Sequence, residues 1–307
     1  MEILENECMS KHTSLKVGGP ARYFVEVESV SEILGAQIFF AERNLPFFIL
    51  GNGTNLLVSD QGYPGGIITL GKSFSEVQEL GKGKFKVGAG FSLGAFARRS
   101  IKQGFAGIHK LAGIPGTLGG AVFMNAGAYG QEIAQTCVEV ESLNLKGEVQ
   151  VRSADICKFS YRHSLFQDLS AMDEGEIILS ATFQLEPPEK SLKDSPSLEK
   201  EMQECMAKRK ATQPLNMPNA GSTFKRLEVG AKETPDQIAP GYYIEKSGLK
   251  GFRIGGAEVS ALHANFIVNA GGASAKDIKN LCEFMQQTVA EKFDIQLQRE
   301  IIFLGTF

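Results

Sequence analysis

The chain has 307 residues, 43% of them hydrophobic and 22% charged, with a formal net charge of −3. A chain of that length can build a proper core without disulfides or metal, and the lack of a global basic field argues against nucleic acid as a partner. No apolar run approaches the ~20 residues that cross a bilayer, and the acidic start lacks the basic region of a signal peptide. Five scattered cysteines (Cys8, Cys137, Cys157, Cys205, Cys282) without a C-x-x-C pair suit reduced thiols in a cytoplasm.

In chain order, Ala21 to Glu28 alternates as a strand, with Tyr23, Val25 and Val27 on one face and Phe24, Glu26 and Glu28 on the other. Ser29-Val-Ser-Glu32 reads as a capping box opening a helix toward Asn44. Phe47 to Leu50 is a short apolar strand that runs into the loop Gly51-Asn-Gly-Thr-Asn-Leu-Leu57, the order of an α/β unit. Ile67 to Leu70 and Lys84 to Ala89 are further strands, after a turn-like Tyr63-Pro64-Gly65, and Phe91 to Gln103 is a helix. Cys137 to Leu145 and Glu148 to Val151 flank a hairpin turn at Lys146-Gly147, and Glu176 to Leu185 is another apolar strand. Residues 186 to 197, with Pro187, Pro188 and Pro196, form the best linker candidate. A charged helix is expected over Ser197 to Ala211, a second over Ser274 to Phe293 with Ser274 as cap, and a last strand over Ile295 to Leu304.

Three glycine patterns compete as ligand loops. Gly66-Ile-Ile-Thr-Leu-Gly-Lys-Ser73 satisfies the spacing of a phosphate-binding P-loop. Its middle is strand-forming rather than flexible, so the match is discarded. Gly88-Ala-Gly90 with Gly94 has the wrong spacing for a dinucleotide fingerprint and reads as a turn. The third pattern is an eighteen-residue stretch, Gly113 to Gly130, with six glycines, one proline and no charge. Glycine permits positive φ and close backbone approach, so this stretch and the Gly51–Leu57 loop predict a cofactor cradle built from main-chain N–H groups.

These segments carry a resemblance. Gly51–Leu57, Gly113–Ala121 with Met124–Gly130, Tyr161-Arg-His-Ser164, Asn219-Ala-Gly-Ser-Thr-Phe-Lys225 and Gln298-Arg-Glu300 occur in an order that resembles the UDP-N-acetylenolpyruvoylglucosamine reductase family, in its shorter type. The resemblance implies an α/β and α+β fold. Two FAD-binding subdomains of the vanillyl-alcohol-oxidase or PCMH type, residues 1–60 and 61–190, would precede a substrate-binding domain, residues 191–307. It implies FAD held non-covalently, since neither glycine loop contains His or Cys, by Gly51, Asn52, Gly53, Thr54, Asn55, Leu56, Gly113, Pro115, Gly116, Thr117, Gly119, Gly120, Asn125 and Gly127. It further implies a cytoplasmic monomer. This protein would use NADPH to reduce a UDP-sugar enolpyruvyl ether to UDP-N-acetylmuramate, by hydride from flavin N5 to the β-carbon and then protonation.

The resemblance assigns catalytic roles to Arg162, Ser222 and Glu300. An isolated Arg is ordinarily a surface ion-pair partner. Within Tyr-Arg-His-Ser it becomes a fork for the substrate carboxylate and the charge that develops beside it. Ser222, by itself a loop cap, becomes the proton donor once neighbours orient it. Glu300 stabilises the same charge, and Tyr161 and Lys225 bind substrate. Lys208-Arg-Lys210 and Lys225-Arg226 are candidates for the diphosphate, Lys225 foremost. His12, His109, His163 and His263 have no metal spacing, so no metal is expected. Two other readings stay open: a flavin oxidase or dehydrogenase of the same fold on another substrate, and a nucleotide-binding module using Gly66–Ser73.

Overall fold

The structure is a computed structural model that describes residues 1–171, 175–187, 197–227 and 238–307. Its first elements are β1 (Ile3–Cys8), β2 (Pro20–Val27), α1 (Val30–Ala41), β3 (Phe47–Leu50), β4 (Leu56–Val58), β5 (Tyr63–Leu70), β6 (Val77–Gly81), β7 (Lys84–Gly88), α2 (Leu93–Lys102) and α3 (Leu118–Phe123). The middle of the chain adds β8 (Gly127–Ala128), β9 (Gln131–Glu132), β10 (Cys137–Leu143), β11 (Val149–Ser153), α4 (Leu165–Ala171), β12 (Ile177–Gln184) and α5 (Leu198–Thr212). The last part holds α6 (Pro240–Lys246), β13 (Arg253–Ile254), β14 (Ala257–Val259), β15 (Ile267–Asn269), α7 (Ala275–Phe293) and β16 (Ile302–Leu304).

The chain packs as two units that interleave in sequence. One comprises residues 1–3, 24–51 and 66–209; the other comprises 4–23, 52–65 and 210–307. The first unit contains an antiparallel sheet of order β11-β10-β12-β7-β6. Phe85, Val87, Val140, Ala181 and Phe183 from this sheet pack with Leu93, Phe96 and Ala97 of α2 and Leu118 and Val122 of α3. The rings of Phe96 and Phe183 lie 5.3 Å apart, within the range of favourable aromatic pairs. In the second unit, β13-β14-β15 packs on α7, whose Ile278, Leu281, Cys282, Met285 and Val289 are all buried. The expected cap of α7 is present and reciprocal: Ser274 Oγ accepts from Asp277 N at 3.0 Å, and Asp277 Oδ2 from Ser274 N at 3.0 Å.

The sequence and the structure diverge at particular places. Tyr63-Pro64-Gly65 is the start of β5, not a turn. Gly66 there makes room for a core ring, because a Cβ would fall 2.2 Å from Phe40 Cζ. α1 ends at Ala41 rather than near Asn44, and Glu32 accepts from Glu28 N, one residue before the expected cap. Phe24 is buried as well as Val25, so the expected polar face of β2 is covered at that position, between the exposed Arg22 and Glu26. Within the glycine stretch lies a helix, α3, that propensity argues against. The last strand shortens to Ile302–Leu304, paired in parallel with β4, while Arg299 forms a lone bridge with Phe224. Most of the linker expected over 186–197, and the boundary expected near 190, lie outside the described residues.

Candidate active site

The discarded P-loop shows what its glycines do instead. Gly66 to Leu70 is strand, and the N–H groups that follow are filled by the chain's own carboxylate. Glu28 accepts from Lys72 N at 3.1 Å and from both N and Oγ of Ser73 at 2.8 Å. These Ser73 bonds hold the Glu28 carboxyl below the usual range. A Cβ on Gly71 would sit 2.4 Å from that carboxylate.

The two other glycine segments differ from the Gly66–Ser73 segment in leaving N–H groups without an acceptor among the described residues. In the first unit Gly51, at the end of β3, meets Thr117: a Cβ there would lie 2.6 Å from Thr117 Oγ1. Thr117 caps α3 by accepting from Gly120 N at 3.3 Å, and Gly119 N donates to Ala89 O at 2.8 Å. Gly116 has φ +129°, a conformation side chains avoid. The N–H groups of Gly116 and Thr117 reach no protein acceptor among the described residues. In the second unit Gly53 has φ +59°, and a Cβ would fall 2.1 Å from His12 O. The N–H groups of Asn52 and Gly53 likewise reach no acceptor among the described residues. Uncharged main-chain donors beside close glycine contacts fit a cofactor such as FAD, whose pyrophosphate and ring edge are acceptors.

Other residues expected at the cofactor are engaged in the fold itself. Asn125, fully buried with φ +42°, donates from Nδ2 to Ser160 O at 2.9 Å and accepts at Oδ1 from Ala134 N at 3.0 Å. Asn55 Nδ2 donates to Glu300 O at 3.0 Å, and Ile302 N donates to Asn55 O at 3.0 Å. Leu56 is buried in β4 opposite Ile302. Gly113 lies against the stem of Arg209, whose Cδ would be 3.1 Å from an added Cβ. Burial lowers the pKa of the Arg209 guanidinium, and no carboxylate pairs with it among the described residues.

Arg162 rides on a tight turn in the first unit. Ser160 and His163 exchange both backbone hydrogen bonds at 3.1 Å, and Arg162 between them takes φ +55°. For a residue with a Cβ that conformation costs about 1–2 kcal/mol, so surrounding bonds must impose it. Arg162 Nη2 donates to Gly127 O at 2.8 Å, and its Cζ lies 5.1 Å from the ring of Tyr161, which is 41% exposed. His163 pairs with Asp168 at 2.8 Å. His12 bonds Glu7, His109 bonds Glu201 and His263 bonds the backbone of Asn265, so each histidine has a local partner.

Ser222 sits in the second unit on a turn whose positive φ falls on the preceding Gly221, at +78°. Asn219 Oδ1 accepts from Gly221 N at 2.9 Å, and Asn219 Nδ2 donates to Pro214 O and Met217 O. On the other side, Asn265 holds Phe224 at both ends: Oδ1 accepts from Phe224 N at 3.1 Å, and Nδ2 donates to Phe224 O at 2.9 Å. The Ser222 hydroxyl itself meets no hydrogen-bond partner among the described residues. Glu300 N donates to Thr223 O and Lys225 N to Gln298 O, both at 2.8 Å, so Glu300 and Ser222 flank one backbone bridge. The supporting role of Asn265 had no local signal, because its partner is 41 residues away in sequence.

Among the described residues no group of three His, Cys, Asp or Glu could hold a metal ion, and no helix is long and apolar enough to cross a membrane. Burial pushes the thiols of Cys137 and Cys282 up to about 12 and that of Cys157 to about 11.

Comparison with known proteins matches two consecutive stretches of the chain. A family model for the FAD binding domain matches residues 21–153, and one for the C-terminal domain of UDP-N-acetylenolpyruvoylglucosamine reductase matches residues 213–304. The UDP-N-acetylenolpyruvoylglucosamine reductase of Carboxydothermus hydrogenoformans is 39% identical over 303 residues, covering 99% of this chain and 94% of that protein. Its namesake in Bacillus subtilis is 37% identical over 304 residues, with the same coverage of 99% and 94%. A crystal structure of the reductase from Thermus caldophilus matches with a TM-score of 0.78 and 33% identity, over 99% of this chain and 98% of that one. The expected fold class, an FAD-binding α/β part of PCMH type followed by a C-terminal α+β domain, is the one this chain has. The chain belongs to the UDP-N-acetylenolpyruvoylglucosamine reductase family.

Proposed function

We propose that this protein uses NADPH and non-covalent FAD to reduce UDP-N-acetylglucosamine enolpyruvate to UDP-N-acetylmuramate, a peptidoglycan precursor, as a cytoplasmic monomer. The observation that carries the reading is the Ser222 hydroxyl, which meets no hydrogen-bond partner among the described residues and stands on a turn fixed by Asn219 and Asn265. Such a group is available to a ligand.

The main-chain donors at Asn52, Gly53, Gly116 and Thr117 would hold the cofactor. When bound, the reduced flavin supplies a hydride from N5 to the enolpyruvyl β-carbon. Negative charge then grows on the α-carbon and its carboxylate. The planar Arg162 guanidinium offers that carboxylate a two-toothed fork. Ser222 gives the α-carbon its proton and regains one from solvent, and Glu300, across the Thr223 bridge, completes the charged environment. Lys225 and Tyr161 bind the sugar nucleotide, and Arg209, which no carboxylate pairs with among the described residues, is a further cation for its diphosphate. In this reading residues 1–60 and 61–190 serve the cofactor and residues 191–307 the substrate.

The test separates the two half-reactions. Ser222→Ala should keep bound flavin and its bleaching by NADPH, while reoxidation by the enolpyruvyl substrate slows by roughly 10²-fold or more. In D₂O the wild-type product should carry one solvent deuteron at the α-carbon. Equal slowing of both half-reactions would remove Ser222 as proton donor.

A further inference from the structure

We propose that Gln167, together with Asn125, is a positioning residue that sets the Arg162 turn. Two backbone hydrogen bonds between Ser160 and His163 close that turn, and Arg162 within it adopts φ +55°. A chain of L-residues relaxes out of that region unless neighbouring bonds hold it there. Two side-chain amides supply such bonds from different elements. Gln167, in the first turn of α4, donates from Nε2 to the carbonyl of Arg162 at 3.1 Å and to the carbonyl of Phe123 at 2.9 Å. Its Nε2 also approaches Met124 Sδ at 3.7 Å. Asn125 holds the near end of the same turn through Ser160 O at 2.9 Å and ties it to Ala134 N at 3.0 Å.

The consequence is specific to Arg162. Gln167 binds the carbonyl of that residue and the C-terminal end of α3 with one amide, so the arginine backbone is fixed relative to the helix that Thr117 caps. Ser164 Oγ reinforces the link by donating to the same Phe123 carbonyl at 2.7 Å. Arg162 Nη2 in turn donates to Gly127 O at 2.8 Å, two residues beyond Asn125. Backbone, brace and guanidinium are thus one connected hydrogen-bonded unit, and rigid placement of a charged fork is what transition-state stabilisation requires. Neither amide touches a reacting group. Their effect passes through Arg162.

This inference rests on the reading of Arg162 as the carboxylate fork, so the experiment has one readout that depends on that reading and one that does not. The flavin-loaded full-length protein is compared with Gln167→Leu, Gln167→Glu and Gln167→Lys. Leu removes the donors, Glu sets a carboxylate against two carbonyl oxygens, and Lys restores a donor of similar reach. The activity-independent readout is tryptic cleavage at the Arg162–His163 bond under native conditions. It should accelerate about 10-fold or more in Leu and Glu and return toward wild type in Lys, since cleavage follows the population of the opened turn. The second readout is the half-reaction split: reoxidation by the enolpyruvyl substrate should slow by roughly 10–100-fold in Leu and Glu, with NADPH bleaching unchanged and Lys rescuing. Wild-type cleavage and reoxidation in Gln167→Leu would overturn the proposal, as would equal slowing of both half-reactions without rescue by Lys. Should wild-type protein fail to turn over the enolpyruvyl substrate while the cleavage pattern holds, the brace stands and the functional reading falls.

Discussion

Arg162 and Ser222 both stand on tight turns, but the turns store their strain in different places. At Arg162 the left-handed backbone belongs to the proposed carboxylate fork itself, and side-chain amides from α4 and the segment after α3 hold it. At Ser222 the positive φ is delegated to Gly221, which has no Cβ to object, and the serine follows in an ordinary conformation between two asparagine clamps. The difference teaches what each group needs. A guanidinium that must meet a planar carboxylate gains from a backbone with one permitted placement, whereas a hydroxyl rotor needs only its Cα fixed and its oxygen unpaired. Asparagine holds both turns through an amide that donates and accepts at once, while Gln167 holds the Arg162 turn as a donor.

The largest predicted break in this comparison is Arg162→Met, which should slow the substrate half-reaction by roughly 10²–10³-fold while leaving flavin content and NADPH bleaching intact. Stopped-flow absorbance of the two steps measures it. Next comes Asn265→Ala, which strands the buried N–H and C=O of Phe224 and should lower stability by about 2–4 kcal/mol in denaturant titration. Gly221→Ala sharpens the contrast further. Among the described residues nothing beyond the chain neighbours lies within 4 Å of the added Cβ, so the cost, about 1–2 kcal/mol, measures the φ of +78°. Thr223→Val should be neutral or stabilise by up to about 1 kcal/mol, because the Thr223 hydroxyl is buried without a partner among the described residues. The smallest effect concerns Glu28 at the false P-loop. Its carboxyl is held below the usual range, so its contribution is present above the ordinary carboxylate pKa and is lost as pH falls through the lowered folded value. Accordingly Glu28→Gln should be less stable than wild type at neutral pH, and the two should converge on acidification.

How much of this was legible in the sequence follows from the range of the interactions. Local signals were readable. The caps at Ser29 and Ser274, the buried stripe of α7 and the hairpin at Lys146-Gly147 all depend on neighbours a few residues away, and all are present. α3 was not legible, because Gly119 and Gly120 argue against a helix that survives by the Thr117 cap and the burial of Leu118, Ala121 and Val122. Residues 295–301 alternate like a strand, yet only Ile302–Leu304 finds a ladder partner, and that partner lies some 250 positions earlier. The candidate residues came from motif order rather than from geometry. Their supports, Gln167 and Asn265, could be found only in space, since an amide in a helix or loop carries no mark of the carbonyl it will meet.

The central claim is that Ser222 and Arg162 serve the reduction of an enolpyruvyl ether by a flavin loaded on this chain. An anaerobic titration addresses it most directly, with NADPH added first to the purified protein, the UDP-sugar enolpyruvyl ether last, and the visible spectrum followed throughout. The account predicts a yellow protein that bleaches with NADPH and regains its colour stoichiometrically with the enolpyruvyl ether. A protein that bleaches but stays bleached when that substrate is added would contradict it and leave the chain a flavoprotein acting on something else.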